Sequence, residues 1–125
     1  MMKTALVTGA GARLGRAMAL YLGARGYDVA VHYNTSSKGA DDVVAALEAM
    51  GQRGAAVQAD LLNEDETQSL FSRAVAALGA PITCLVNNAS IFDDDRVTTA
   101  TSESWDRHIG SNLRAPFILT QAMAR

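Results

Sequence analysis

The segment Thr8-Gly9-Ala10-Gly11-Ala12-Arg13-Leu14-Gly15 follows directly on an apolar run, Ala5 to Thr8, and opens directly into a stretch of helical period. A glycine leaving a strand permits a tight turn, a second lets backbone approach a pyrophosphate, and a third lets the helix pack on the strand. The N-terminus of that helix then offers unpaired N–H groups and the positive end of its dipole to phosphate. Thr8, Gly9, Gly11, Arg13, Leu14 and Gly15 are therefore candidate cofactor-binding residues. A glycine-rich turn is also an ordinary way to join strand to helix. The strand before and the helix after favour dinucleotide binding.

The next chemistry lies beyond the second apolar run, in Val31-His32-Tyr33-Asn34-Thr35-Ser36-Ser37-Lys38. Sites for NAD place an Asp or Glu about 20 residues past the glycines, where it accepts from the ribose 2′-hydroxyl. This segment holds no carboxylate, and Asp28 lies at the wrong end of the run. Hydroxyls and amides can donate to a 2′-phosphate that a carboxylate would repel, and Lys38 can add charge. His32, Tyr33, Asn34, Thr35 and Ser36 join the candidates, and the expected cofactor is NADPH. The same Asn-Thr-Ser-Ser also reads as a turn and N-cap for the following helix. His32 has no second ligand at metal-binding spacing, so no metal site is expected.

These residues need elements to hold them. Ala5–Thr8, Asp28–Tyr33, Ala55–Ala59 and Ile82–Asn87 read as buried strands. Between them lie helical segments, the first with Leu14, Met18, Tyr21 and Leu22 at i, i+4, i+7 and i+8. The second buries Val43, Val44 and Leu47; the third presents Phe71, Val75 and Leu78 and stops at Gly79. Asn63 with Glu66 resembles a capping box for the third helix. Ser90–Ala100 is polar, contains Asp93-Asp94-Asp95, and reads as a loop. Ser102 opens a fourth helix with Trp105, Ile109 and Leu113 at i+4 steps, bent or restarted at Pro116. The alternation of strand and helix calls for a doubly wound α/β fold, a parallel sheet with right-handed crossovers and helices on both faces. Its strand ends, where ligands sit, carry Asp60-Leu61 and Asn87-Asn88-Ala89-Ser90.

Composition narrows the function classes. With 49% hydrophobic and 19% charged residues the chain suits one compact soluble domain. A net charge of −2 gives no electrostatic footprint for nucleic acid, and no apolar stretch suits a bilayer or a signal peptide. The one cysteine, Cys84, excludes a disulfide framework and reads as a core residue in a reducing, cytoplasmic protein. Gln121–Arg125 is helical in character with no closing residue, so the segment is expected to be part of a longer domain.

The motifs together resemble the short-chain dehydrogenase/reductase family. Its T-G-x-x-x-G-x-G pattern is matched at Thr8, Gly9 and Gly15, while Arg13 stands at the middle glycine. That departure is similar to the pteridine-reductase branch, which has arginine there; the resemblance implies a guanidinium facing the pyrophosphate and reaching the substrate. His32, Tyr33 and Ser36 match that branch's His-Tyr-His-Arg-Ser, whereas Asn34 and Thr35 depart from it. Asp60-Leu61 resembles the family's Asp-Leu/Val pair, whose carboxylate contacts adenine. Asn88 and Ala89 match the family's Asn-Asn-Ala-Gly, with small Ala89 letting a ribose lie against backbone. Ser90 replaces the glycine, as in pteridine reductases, which carry an aromatic residue two places on, here Phe92. Arg13, Ser90 and Phe92 are the implied substrate residues; Asp93-Asp94-Asp95 has no counterpart. Asn112, in Asn-Leu-Arg-Ala-Pro-Phe, resembles the structural asparagine of the catalytic tetrad, whose bent helix holds a water in the proton relay. An asparagine inside a helix is unfavourable by propensity, which suits such a purpose.

The resemblance covers the whole chain but only the first half of the family's domain. Tyr21, Tyr27 and Tyr33 are the only tyrosines, and none is followed by lysine four residues on, so the family's Tyr-x-x-x-Lys acid is not in this segment. The implied protein is thus a Rossmann fold incomplete at its C-terminal side, residues 1–125 being an NADP(H)-binding half-domain. The implied activity is NADPH-dependent reduction of a pteridine or similar carbonyl or imine. A 3-oxoacyl- or sugar-type reductase is the alternative within the family, and a non-catalytic NADP(H)-binding module the alternative outside it. A small-molecule substrate and a homo-oligomer, dimer or tetramer, are implied, with neither nucleic acid nor membrane as partner.

Overall fold

Short β-branched and aliphatic runs too brief for helices form the sheet, and the alanine-rich segments between them cross over its faces. The computed structural model describes residues 2–125. In chain order the elements are β1 (Thr4–Val7), α1 (Arg13–Ala24), β2 (Asp28–Tyr33), α2 (Ser37–Ala49), β3 (Gly54–Gln58), α3 (Glu64–Leu78), β4 (Cys84–Val86), α4 (Ser102–Ile109), a π-helical turn (Gly110–Arg114) and α5 (Ala115–Ala124). All strand pairs are parallel, in the order β3-β2-β1-β4. The chain runs outward from β1 to β3 and then crosses back to β4. That reversal opens a crevice between the carboxyl ends of β1 and β4, the place where doubly wound sheets bind ligands.

The sheet divides two apolar layers. Leu6, Ala30 and Val57 face α3 and α5, packing with Leu70, Ala74, Leu78 and Leu119. Val7, Val29 and Val31 face α1 and α2, packing with Ala19, Val43 and Leu47. Each fully buried Val or Leu contributes about 1.5–3 kcal/mol. Both faces of β1 are buried, so its residues read as a continuous apolar run. No helix among the described residues is long and apolar enough to cross a membrane.

The buried face of α1 differs from the expected one. Gly15, Ala19 and Gly23 face inward at i+4 steps, while Leu14 is 66% exposed and Tyr21 lies in solvent under the Arg25 guanidinium. Small residues on that face let the helix approach closely: a Cβ on Gly23 would stand 2.4 Å from Leu47 Cδ2. On α3 the innermost row is Thr67, Leu70, Ala74 and Leu78, with Phe71 and Val75 only half-buried. Cys84 is also only half-buried, because β4 is the edge strand. Asn63 caps α3 by accepting from Glu66 N–H (3.0 Å), but the capping box is not closed. The Glu66 carboxylate accepts instead from Asp60 N–H (3.0 Å), tying the helix start to the end of β3.

Candidate dinucleotide site

The crevice over the strand ends is a cleft of about 590 Å³. It brings together Gly9, Arg13, Leu14, Gly15, His32, Asn34, Asp60, Leu61, Asn88, Ala89 and Ser90 from four separate strand ends. The remaining candidates lie outside its lining, and their positions show why.

Thr8 is buried behind the turn. Its Oγ1 accepts from Asn88 N–H (3.0 Å) and Ala89 N–H (2.9 Å), pinning the end of β4 to the end of β1. Asn88 answers by donating Nδ2 to Thr8 O (3.0 Å) and Gly9 O (3.3 Å). Gly9 has φ +62°, a left-handed conformation that glycine adopts freely. Gly11 is buried, and a Cβ there would stand 3.2 Å from Ser36 O. Tyr33 turns into the α1–α2 layer, and Thr35 and Ser36 are exposed beside the cleft. Lys38 pairs with Asp42 across one turn of α2 (3.4 Å) and does not line the cleft.

Arg13 opens α1 with φ +55°, the only non-glycine among the described residues with a positive φ. A residue with a Cβ is held there at a cost of order 1 kcal/mol. Backbone geometry thus accounts for the glycine pattern from which Arg13 departs, and strain of this kind concentrates at functional sites. The α1 N-terminus has no side-chain cap and no acidic residue in its first turn. Its N–H groups and the positive end of its dipole therefore face the cleft uncompensated, which suits an anion.

His32 acts from inside the wall. It is 2% exposed, and its Nδ1 accepts from Gly9 N–H (2.9 Å). The ring proton therefore sits on Nε2, which donates to Ala59 O (2.9 Å). One neutral imidazole thus links the ends of β1, β2 and β3. Burial lowers its pKa, the Arg73 charge lowers it further, and the Ala59 carbonyl partly opposes both. The folded state holds the ring neutral, whereas the unfolded chain takes up a proton near 6.5. Stability from this group is present above that pH and is lost as pH falls toward the depressed folded-state value. Thermal unfolding of the wild type from pH 8 to 5 should show this loss, and His32→Gln should flatten it. Identical slopes in the two proteins would contradict the assignment.

The opposite wall is set by Asn112. Its Oδ1 accepts from Ile91 N–H (3.0 Å) and its Nδ2 donates to Ile91 O (2.9 Å), as a neighbouring strand would. The helix widens there to a π turn, in which Ala115 N–H reaches Gly110 O five residues back. Such turns insert at functional sites and release a carbonyl from the helical ladder. The bend thus precedes Pro116, which sits inside the first turn of α5. The Asn112 amide is committed to the loop after β4 and does not line the cleft.

The acidic run closes the same loop. Asp93 accepts from Arg107 Nε (3.2 Å), and its N–H donates to His108 Nε2 (3.0 Å). Asp95 accepts from Arg96 N–H and from Thr99 Oγ1; the Ser104 and Thr99 hydroxyls hold its carboxyl below the ordinary range. Phe92, by contrast, is 86% exposed and anchors nothing. Sequence reasoning missed Ala12, Leu62, Ile91, Arg107 and Ser111, all of which line the cleft. Leu62 and Ile91 directly follow recognised motifs, whereas Arg107 and Ser111 carry no local signal.

Comparison with known proteins agrees with this geometry. Residues 3–125 match the short chain dehydrogenase family. A 3-oxoacyl-[acyl-carrier-protein] reductase of Staphylococcus aureus is 38% identical over 117 residues, 94% of this chain and 47% of the relative. A short chain dehydrogenase from Burkholderia cenocepacia, solved in complex with NADP, superposes with a TM-score of 0.93 at 39% identity, over 98% of this chain and 50% of its own. FolM alternative dihydrofolate reductase 1 from Brucella suis, also solved with NADP, gives 0.91 at 35% identity, over 97% and 50%. The chain spans about half the length of the curated relatives it matches. With the doubly wound sheet and the strand-end cleft, these matches show that the chain belongs to the short chain dehydrogenase family.

Proposed function

We propose that residues 1–125 are the NADP(H)-binding part of a short chain reductase that uses NADPH. The observation that carries this reading is the cleft, lined by the uncapped N-terminus of α1 with Arg13 as its first residue, where the end of β2 presents Asn34 in place of a carboxylate. Two solved relatives bind NADP, which supports the same choice. The residues present fit the group. The α1 N–H groups and Arg13 would hold the pyrophosphate, Asn34 the 2′-phosphate, Asp60 and Leu61 the adenine, and Ala89 the ribose. Bound NADPH supplies hydride. Asn112 holds Ile91 and thereby the wall beside Ser90, while the widened turn leaves a backbone carbonyl to hold a water. The Tyr-x-x-x-Lys acid is assigned to sequence beyond this segment.

For the substrate we favour a pteridine or a similar flat carbonyl or imine, on Arg13 and Ser90 in the cleft and the exposed Phe92 two residues beyond Ser90. Offset stacking on a phenyl ring contributes about 0.5–1.5 kcal/mol, enough to orient such a ring system. Because Phe92 packs against no core residue, its removal should not disturb folding. In the intact enzyme Phe92→Ala should raise the KM for a dihydropteridine severalfold and leave NADPH affinity unchanged. Absence of turnover with any pterin would move the reading to a 3-oxoacyl thioester, the substrate class favoured by the S. aureus relative. The exposed row Trp105, Leu113 and Phe117, with Trp105 at 65%, suits burial between copies of the chain and supports a homo-oligomer.

A further inference from the structure

Gln58, the last residue of β3, belongs to none of the glycine-rich, Asp-Leu or Asn-Asn-Ala-Ser motifs. Its Nε2 donates to both the backbone oxygen of Asn34 (3.2 Å) and the side-chain Oδ1 of Asn34 (3.3 Å). The backbone oxygen fixes the chemistry of this pair. A carbonyl can only accept, so the Gln58 group facing it must be the NH₂ and not the oxygen. A donor in that position selects the oxygen end of the Asn34 amide. Asn34 Nδ2, with two N–H groups, is then turned away from Gln58, and it donates to no protein group among the described residues. Asn34 lines the cleft.

Gln58 is itself held from behind. Arg73 of α3 donates Nη1 to Gln58 O (2.8 Å), while its Nε is anchored on Ser69 Oγ (3.2 Å). In addition, Ala59 N–H donates to Tyr33 O (3.1 Å), keeping the ends of β2 and β3 together up to Asn34.

We propose that Gln58 is a specificity-determining positioning residue. By orienting the Asn34 amide it presents an N–H donor, rather than an oxygen, to a phosphomonoester on the adenosine 2′ position. Without Gln58 the amide rotates freely, and in half of its orientations it presents an oxygen that repels the phosphate and accepts from a 2′-hydroxyl. Gln58 thus acts on the choice between NADPH and NADH without contacting either. The inference rests on the NADPH reading above.

The test uses direct binding to the intact protein, with adenosine 2′,5′-bisphosphate and adenosine 5′-monophosphate as probes that differ only at the 2′ position. Gln58→Leu should weaken the 2′-phosphorylated probe roughly three- to tenfold. The 5′-monophosphate should be unaffected, and the melting temperature should stay near that of the wild type. In an Asn34→Ala background Gln58→Leu should have no further effect, because the residue it orients is gone. Equal loss for both probes, or an undiminished effect in the Asn34→Ala background, would overturn the inference and leave Gln58 a structural tie between strands. Unchanged discrimination in Gln58→Leu would overturn it as well. A wild-type protein that binds the two probes equally would instead overturn the NADPH reading itself, and this inference with it.

Discussion

Gly15→Ala is expected to weaken dinucleotide binding by one to two orders of magnitude, roughly 10- to 100-fold, while leaving most of the sheet folded. A Cβ at this position would stand 2.0 Å from Gly9 O and 2.6 Å from Asn88 Nδ2, and neither can move freely. Gly9 O belongs to the turn itself, and Asn88 Nδ2 is bonded to Thr8 O and Gly9 O. The added methyl must therefore lift α1 away from the turn and break the tie between β1 and β4. Overpacking of this kind costs about 1–3 kcal/mol in stability. Displacing the helix N-terminus takes N–H groups out of reach of the pyrophosphate; one such charge-assisted bond lost, at about 1.5–3 kcal/mol, weakens the cofactor by roughly 10- to 100-fold. Gly23→Ala on the same helix is the control. Its Cβ meets the flexible end of Leu47, so it should lower the melting temperature and leave cofactor affinity intact. Similar binding losses in both variants would mean that general loosening of α1, not close approach at the turn, governs affinity.

Asn34→Asp is expected to reverse the cofactor preference. The new carboxylate keeps one oxygen on Gln58 Nε2 and turns the other toward the ribose, where it accepts from a 2′-hydroxyl and repels a 2′-phosphate. Two unit charges 4 Å apart interact by about 1 kcal/mol in water and about 4 kcal/mol at an effective dielectric of 20. Asn34 is exposed at the cleft rim, so the loss lies between these limits, roughly 10- to 100-fold for NADPH. NADH should gain severalfold from the new hydrogen bond. An Asn34→Asp protein that still favours NADPH would place the 2′ position elsewhere.

Much of this architecture was legible because parallel sheets write themselves in short apolar runs. The span of β2 and the stop of α3 at Gly79, with φ +69°, follow directly from residue type. The core face of α1 did not, since Gly15, Ala19 and Gly23 bury backbone proximity rather than side-chain area and leave no trace in apolar periodicity. A bend at Asn112 was implied by the family resemblance, but its form, a π turn over Gly110–Arg114, and the Asn112–Ile91 pairing across 21 residues carry no local signal. Residues at strand ends were found as a set because the fold places its ligand there. Their division of labour was not. Thr8 and His32 stand at the candidate cleft, yet they shape it from behind, which only their hydrogen bonds reveal. The acidic run at Asp93–Asp95 had no counterpart in the family pattern; two of its carboxylates fasten the loop to α4 and to itself.

The most direct measurement is the pair of dissociation constants of the intact wild-type protein for NADPH and NADH, read from nicotinamide fluorescence. With Asn34 at the end of β2 and an uncompensated helix N-terminus in the cleft, NADPH should bind at least tenfold more tightly, an advantage that shrinks as salt screens the phosphate. Equal binding, or tighter binding of NADH, would contradict the account.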